Sequence, residues 1–120
     1  PTRRSSDLGE FVPGVLVKMK HGSMERTEDN IRKWADARGL IENTTAEKQF
    51  IKLVEECGEL GKAILNSNLD DTVDGIGDMM VVLTNICTKI GVDLGYCYRV
   101  AYGEIKNRKG SMINGTFVKE

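Results

Sequence analysis

Five carboxylates in the middle of the chain have the types and spacing to hold a metal ion. Glu55, Glu56 and Glu59 fall in one apolar-periodic stretch, and Asp74 and Asp78 in the next. If both stretches are helical, Glu56 and Glu59 are i, i+3 and share a face, while Asp74 and Asp78 are i, i+4 and share another. The glutamates lie beside Val54, Cys57 and Leu60, which are expected core positions, so they stand at the rim of an apolar face. Carboxylates packed this closely repel, and they stay ionised together only when a cation neutralises them. All-oxygen donor sets favour Mg²⁺ or Mn²⁺. A histidine-containing di-iron site does not fit, because the single histidine, His21, lies outside the expected domain. A Glu-Glu-x-x-Glu run by itself reads more readily as a solvated face. Its pairing with Asp-x-x-x-Asp after a short break is what points to a metal.

Four helices are expected to position these acids. Thr27 or Asp29 caps a first helix to about Arg38, stopped by Gly39. Thr44 with Glu47 three residues later forms a capping-box pattern that opens a second helix to about Asn66. Its inward residues are expected to be Phe50, Leu53, Val54, Cys57, Leu60 and Ile64. Asn66-Ser67-Asn68 breaks the chain, and Asp70 or Asp71 caps a third helix to about Ile90, ended by Gly91, with Val73, Ile76, Met80, Leu83 and Ile86 inward. Asp93 caps a fourth through about Arg108, ended by Gly110. The tail holds the turn dipeptide Asn114-Gly115 and then Phe117-Val118. Short loops between helices of this length imply antiparallel neighbours in an all-α bundle. Met79 to Leu83 are consecutive apolar residues, so the third helix is expected to seek a second surface in a homo-oligomer.

Bulk properties narrow the class. The chain has 120 residues, 40% hydrophobic and 29% charged, with formal net charge -1. That fits one ordinary domain and gives no global argument for nucleic acid or membrane as a partner. Acids dominate Glu55 to Asp78, and bases dominate Arg99 to Lys119. This asymmetry suggests cation binding and anion binding, or two solvated helix faces. Cys57, Cys87 and Cys97 are too widely spaced for a zinc site, and they read as buried free thiols of a cytoplasmic protein. The longest apolar run is too short to cross a bilayer, and no secretory signal is evident. Residues 1–23 lack helical or strand periodicity and end in Gly22-Ser23, directly before Met24. They read as an expression tag or linker, with the domain at 24–120.

Lys52-Leu53-Val54-Glu55-Glu56-Cys57-Gly58-Glu59-Leu60 resembles the first signature of the MazG-like nucleoside triphosphate pyrophosphohydrolases. Asp74-Gly75-Ile76-Gly77-Asp78 and the apolar residues after it resemble the second. The segments Glu104 to Gly110 and Asn114 to Val118, with Ile31 to Ala35 and Gln49, are similar to small phage and mobile-element members. One departure stands out: the family's second motif is Glu-x-x-Asp, and here Gly75 occupies the first position, with the acid one residue earlier at Asp74.

The resemblance implies a four-helix bundle completed by oligomerisation, as a dimer or a tetramer made of two dimers. It implies Mg²⁺-dependent hydrolysis of (deoxy)nucleoside triphosphates to monophosphate and pyrophosphate, a nucleotide-pool house-cleaning activity. Glu56, Glu59, Asp74 and Asp78 would be metal ligands, and Glu55, Glu56 and Glu59 catalytic. Lys106, Asn107, Arg108 and Lys109 would hold phosphate charge, or alternatively complement a helix C-terminus. Trp34 would stack on the base or sit in the core, and Gln49 would read a base edge or be merely exposed. Two other readings are a non-catalytic helical interaction module and a phosphoribosyl-ATP pyrophosphohydrolase-like enzyme. The second is disfavoured because no histidine follows Asp78. Binding of a nucleic-acid polymer is disfavoured by the net negative charge and the lack of aromatics among the bases.

Overall fold

A computed structural model describes residues 10–12, 15–19 and 22–120. The elements run β1 (Glu10–Val12), β2 (Val15–Met19), α1 (Met24–Ala37), α2 (Leu40–Asn43), α3 (Ala46–Leu65), α4 (Leu69–Ile90), α5 (Leu94–Ile105), β3 (Gly110–Ile113) and β4 (Thr116–Lys119). The described part of the chain is mainly helical, as expected, but it has five helices and two hairpins. β1 pairs antiparallel with β2, in a region where the sequence shows no strand period. Pro1, Pro13 and His21 lie outside the described residues.

The helix boundaries agree with the sequence to within a few residues, while the caps differ. The α1 cap is Ser23, whose hydroxyl accepts from the Arg26 N–H at 3.1 Å. At α3 the capping hydroxyl is Thr45, which accepts from Lys48 N–H. Thr44 instead accepts from Gln49 Nε2 at 3.0 Å. Adjacent threonines offer two cap registers, and the one adopted puts Lys48 where a capping box needs an acid. Asn68 caps α4 by accepting from Asp71 N–H, and Asp71 Oδ2 accepts from Asn68 Nδ2. Gly91 ends α4 in the left-handed conformation at φ 82°, as its place after the apolar period requires.

α3 and α4 form an antiparallel hairpin around the Asn66–Asn68 break, and α1, α2 and α5 also pack on α4. α4 thus meets four elements of the same chain, while Met79, Met80, Val81 and Leu83 along it are only half-buried. Val82, Cys87, Thr84, Asn85 and Gly75 are buried on it, and Ala63 of α3 and Ala35 of α1 are buried on its neighbours. Only part of the expected core of α3 is covered: Leu53 and Leu60 are half-buried, whereas Phe50, Val54 and Ile64 are each more than half exposed, and Cys57 is exposed. Ile76 on α4 is likewise exposed. Periodicity reports which face is apolar, not whether this chain alone covers it.

The C-terminal tail is a hairpin. Ser111 opposes Val118 and Met112 opposes Phe117. Asn114 at φ 50° and Gly115 at φ 81° make the two-residue turn, a pair of positive φ values that Asn-Gly tolerates best. Every residue of it is exposed. Among the described residues, no single helix is long and apolar enough to cross a membrane.

Candidate functional site

The register of the α3–α4 hairpin decides which acids can meet. Gly75 is buried against Leu60: a Cβ built on it would stand 3.3 Å from Leu60 Cα. Further along, Asn85 Nδ2 donates to Gln49 Oε1 at 3.3 Å. The two pairs define one antiparallel register, in which Glu56 lies level with Asp78 and Glu59 level with Gly75. Asp78 is one turn beyond Gly75, and Glu56 is one turn before Leu60. Glu56, Glu59, Asp74 and Asp78 therefore occupy the same short length of the helix pair.

The charge environment of these acids is uneven. Glu56 is the most sheltered, with its side chain 17% exposed, and Lys52 Nζ lies 3.5 Å from its Oε1. Glu55 is outward, 3.7 Å from the same Lys52. Glu59, Asp74 and Asp78 are exposed. Lys52 thus supplies the positive charge beside the two adjacent glutamates, a role the sequence reading did not assign. Among the described residues, no three His, Cys, Asp or Glu side chains converge to hold a metal ion. The donor chemistry still suits a hard cation, since Glu56, Glu59, Asp74 and Asp78 all offer carboxylate oxygens at this level.

Gln49 is not a free surface amide. It donates to Thr44 and accepts from Asn85, tying the start of α3 to α4. Asn85 is 3% exposed, and its Oδ1 has no hydrogen-bond partner. Sequence reading missed Asn85 because it sits inside an otherwise apolar run. Trp34 is 47% exposed on α1, and the Arg38 guanidinium lies 4.4 Å from its ring centroid. That cation–π contact covers one ring face, so Trp34 is neither a core residue nor a ring bare on both faces.

The basic segment lies elsewhere. Lys106 caps the end of α5, and Asn107, Arg108 and Lys109 follow in the connection to β3, all exposed. α5 leaves α4 at 98°. With α4 running about 18 Å from Asp78 to its end and α5 about as far again, the bases stand roughly 25 Å from the acids of their own chain.

A second polar cluster occupies the α4–α5 corner. Glu28 of α1, 8% exposed, accepts from Leu94 N–H at 2.6 Å and from Gly95 N–H at 3.0 Å. It therefore supplies the N-terminal cap of α5, because Asp93 at the cap position makes no side-chain cap bond. Burial pushes the Glu28 carboxyl up, but these two N–H donors and Arg32 outweigh it, and its pKa falls below the ordinary 4.5. The Arg32 guanidinium is held above its usual range, chiefly by its hydrogen bond to Asp29. Beside it a cleft of about 430 Å³ is lined by Arg32, Thr88, Gly91, Val92, Asp93, Tyr96 and Arg99. Its arginines already face Glu28, Asp29, Asp93 and Glu25.

A 64-residue stretch of the chain is 42% identical to an "Uncharacterized 18.2 kDa protein in rep-hol intergenic region" of Haemophilus phage HP1 (strain HP1c1). The match covers 53% of this chain and 39% of that protein, so the chain spans about two fifths of the length of this curated relative. No protein-family model matches the chain, and no solved structure matches it.

Proposed function

We propose that the chain is a Mg²⁺-dependent, MazG-like nucleoside triphosphate pyrophosphohydrolase that cuts (deoxy)nucleoside triphosphates into monophosphate and pyrophosphate in nucleotide-pool house-cleaning, in the cytoplasm. The observation that carries this reading is the hairpin register, which sets Glu56 and Glu59 of α3 at the level of Asp74 and Asp78 of α4. Mg²⁺, with Mn²⁺ as a substitute, would supply Lewis acidity toward phosphate oxygens. Glu56, Glu59 and Asp78 would hold it, with Asp74 beside them. Glu55, outward on the same turn, takes the proton of the attacking water. For Glu56 to bind, Lys52 must turn away, toward solvent or toward substrate phosphate.

Lys106, Asn107, Arg108 and Lys109 stand too far from the acids of their own chain to hold the same triphosphate. In the working form a second copy supplies them, in a dimer or a tetramer made of two dimers. The exposed apolar side chains of α3 (Phe50, Ile51, Val54) and α5 (Tyr98, Tyr102, Ile105) are the surface that such an assembly would cover. Trp34 with Arg38, and Gln49 with Asn85, are the candidates for base recognition.

The test is product analysis. The protein is incubated with Mg²⁺ and a panel of ribo- and deoxyribonucleoside triphosphates, and products are separated by ion exchange. Monophosphate plus pyrophosphate, abolished by chelator, is the expected result. Intact triphosphates across the panel, with Mn²⁺ also tried, overturn it. The absence of a ready-made metal cage among the described residues favours a second reading, a non-catalytic helical interaction module. That reading predicts no Mg²⁺-dependent rise in melting temperature.

A further inference from the structure

The three cysteines are not equivalent buried thiols. Cys87 of α4 is 5% exposed, whereas Cys57 and Cys97 are exposed. Cys87 and Cys97 lie with their sulfurs 3.9 Å apart across the α4–α5 corner, a contact between thiols ten residues apart in sequence. Their reach is set by the fold: Gly91 turns the chain, and Glu28 pins the first N–H groups of α5. The open cleft at this corner is lined by Thr88 and Tyr96, the sequence neighbours of the two cysteines, and by Arg99.

We propose that Cys87 and Cys97 form a dithiol site that is oxidised by a small-molecule disulfide to an intramolecular disulfide, locking α5 onto α4. The exposed Cys97 opens the exchange. Its thiolate attacks one sulfur of the small disulfide, one small thiol leaves, and a mixed disulfide forms on Cys97. Cys87 then gives its proton to the departing thiolate, attacks the Cys97 sulfur and expels the second small thiol. Two protein S–H bonds become one S–S bond, and the small disulfide is reduced to two thiols.

The order of events follows from the surroundings. Burial, then the hydrogen bond with Cys97 and the charges of Cys97 and Glu28, push the Cys87 thiol up to about 11, with Arg32 opposing. Cys87 therefore stays protonated near neutral pH and resolves the exchange rather than starting it. The bond would close a short loop at the one corner that orients α5, and with it the basic segment at its end. This inference does not depend on the proposed hydrolase activity.

The experiment uses the full chain with Cys57→Ser, which removes the other exposed thiol. The protein is equilibrated with oxidised glutathione, acid-quenched, alkylated under denaturing conditions and digested with trypsin without reduction. Trypsin cuts after Lys89, so the two cysteines fall on separate peptides, 63–89 and 90–99. The expected result is those peptides linked, separated again by reductant, with an upward melting shift of about 4 °C or more in the oxidised protein. Adding Cys97→Ser, a change at an exposed position, removes both the link and the shift. Recovery of both cysteines as alkylated thiols, or of glutathione on Cys97 with Cys87 still free, overturns the proposal.

Discussion

Gly75 on α4 packs against Leu60 on α3 so closely that a side chain there requires Leu60 to give way by a few tenths of an ångström. A Cβ at Gly75 would meet the Leu60 side chain at 3.2 Å and its Cα at 3.3 Å. The acids flank this contact, so the close approach of two backbones sets how near Glu59 and Asp78 can come. Gly75→Val is therefore expected to push the helices apart and destabilise the fold by about 1–3 kcal/mol. Gly75→Ala meets the same contact but gains about 1 kcal/mol of helix propensity, so it should be close to neutral. Urea unfolding checks both. Equal stability for the valine variant would mean that the pair is not packed this closely.

Glu59 is exposed, and its conversion to Gln removes a charge without opening a cavity. On the proposed function, Glu59→Gln lowers turnover at least about 100-fold while the melting temperature stays unchanged. Full retained activity would take Glu59 out of the site, leaving Glu56 and Asp78 to carry it.

Lys52 and a metal ion compete for the same glutamates. Lys52 Nζ lies 3.5 Å from Glu56 and 3.7 Å from Glu55, and such partly exposed pairs contribute about 0.2–1 kcal/mol. Lys52→Ala should therefore tighten Mg²⁺ binding in the absence of nucleotide, by roughly 1.4- to 5-fold in titration calorimetry, that energy expressed as affinity. Weaker Mg²⁺ binding in this variant would mean that Lys52 supports the site.

How much of this the chain announces depends on the range of each interaction. Gly39, Gly91 and the Asn66–Asn68 break mark helix ends correctly because their signals are local. Thr44 was a plausible cap one residue from the real one, since neighbouring Thr45 carries the same hydroxyl. The carboxylate spacings on α3 and α4 follow from helical period alone, whereas their common level depends on the Gly75–Leu60 contact, which no periodicity contains. Glu28 capping α5 from α1, and Gln49 bonded to Asn85, join residues far apart in sequence and leave no local pattern. The apolar face of α3 is legible from its helical period, because periodicity is a local signal.

Gln49 separates a structural role from a recognition role. It accepts from the buried Asn85 amide and donates to Thr44. Gln49→Ala strands the Asn85 Nδ2 as well as its already unpaired Oδ1, a loss of about 1–3 kcal/mol for a buried donor. The expected result is a lowered melting temperature with or without nucleotide. An unchanged melting temperature with altered preference among bases would move Gln49 from scaffold to base reader.

Glu28 makes the α4–α5 corner sensitive to acid. Its carboxylate accepts from Leu94 and Gly95 N–H and pairs with Arg32 at 3.2 Å. The folded-state pKa lies below the ordinary 4.5, so the stabilisation is fully present above 4.5 and is lost as the pH falls through the lower, folded-state value. Glu28→Gln removes the charge and turns an amide donor toward one of the two N–H groups, which should cost about 1–3 kcal/mol at neutral pH. The gap between wild type and variant should stay constant through neutral pH and close below 4.5 as the wild-type carboxyl takes up its proton. Hydrogen exchange at the Leu94 and Gly95 amides should quicken in the variant at neutral pH, because those are the groups it uncaps. A gap that persists undiminished in acid would mean that packing of the side chain, and not its charge, holds α5 in place.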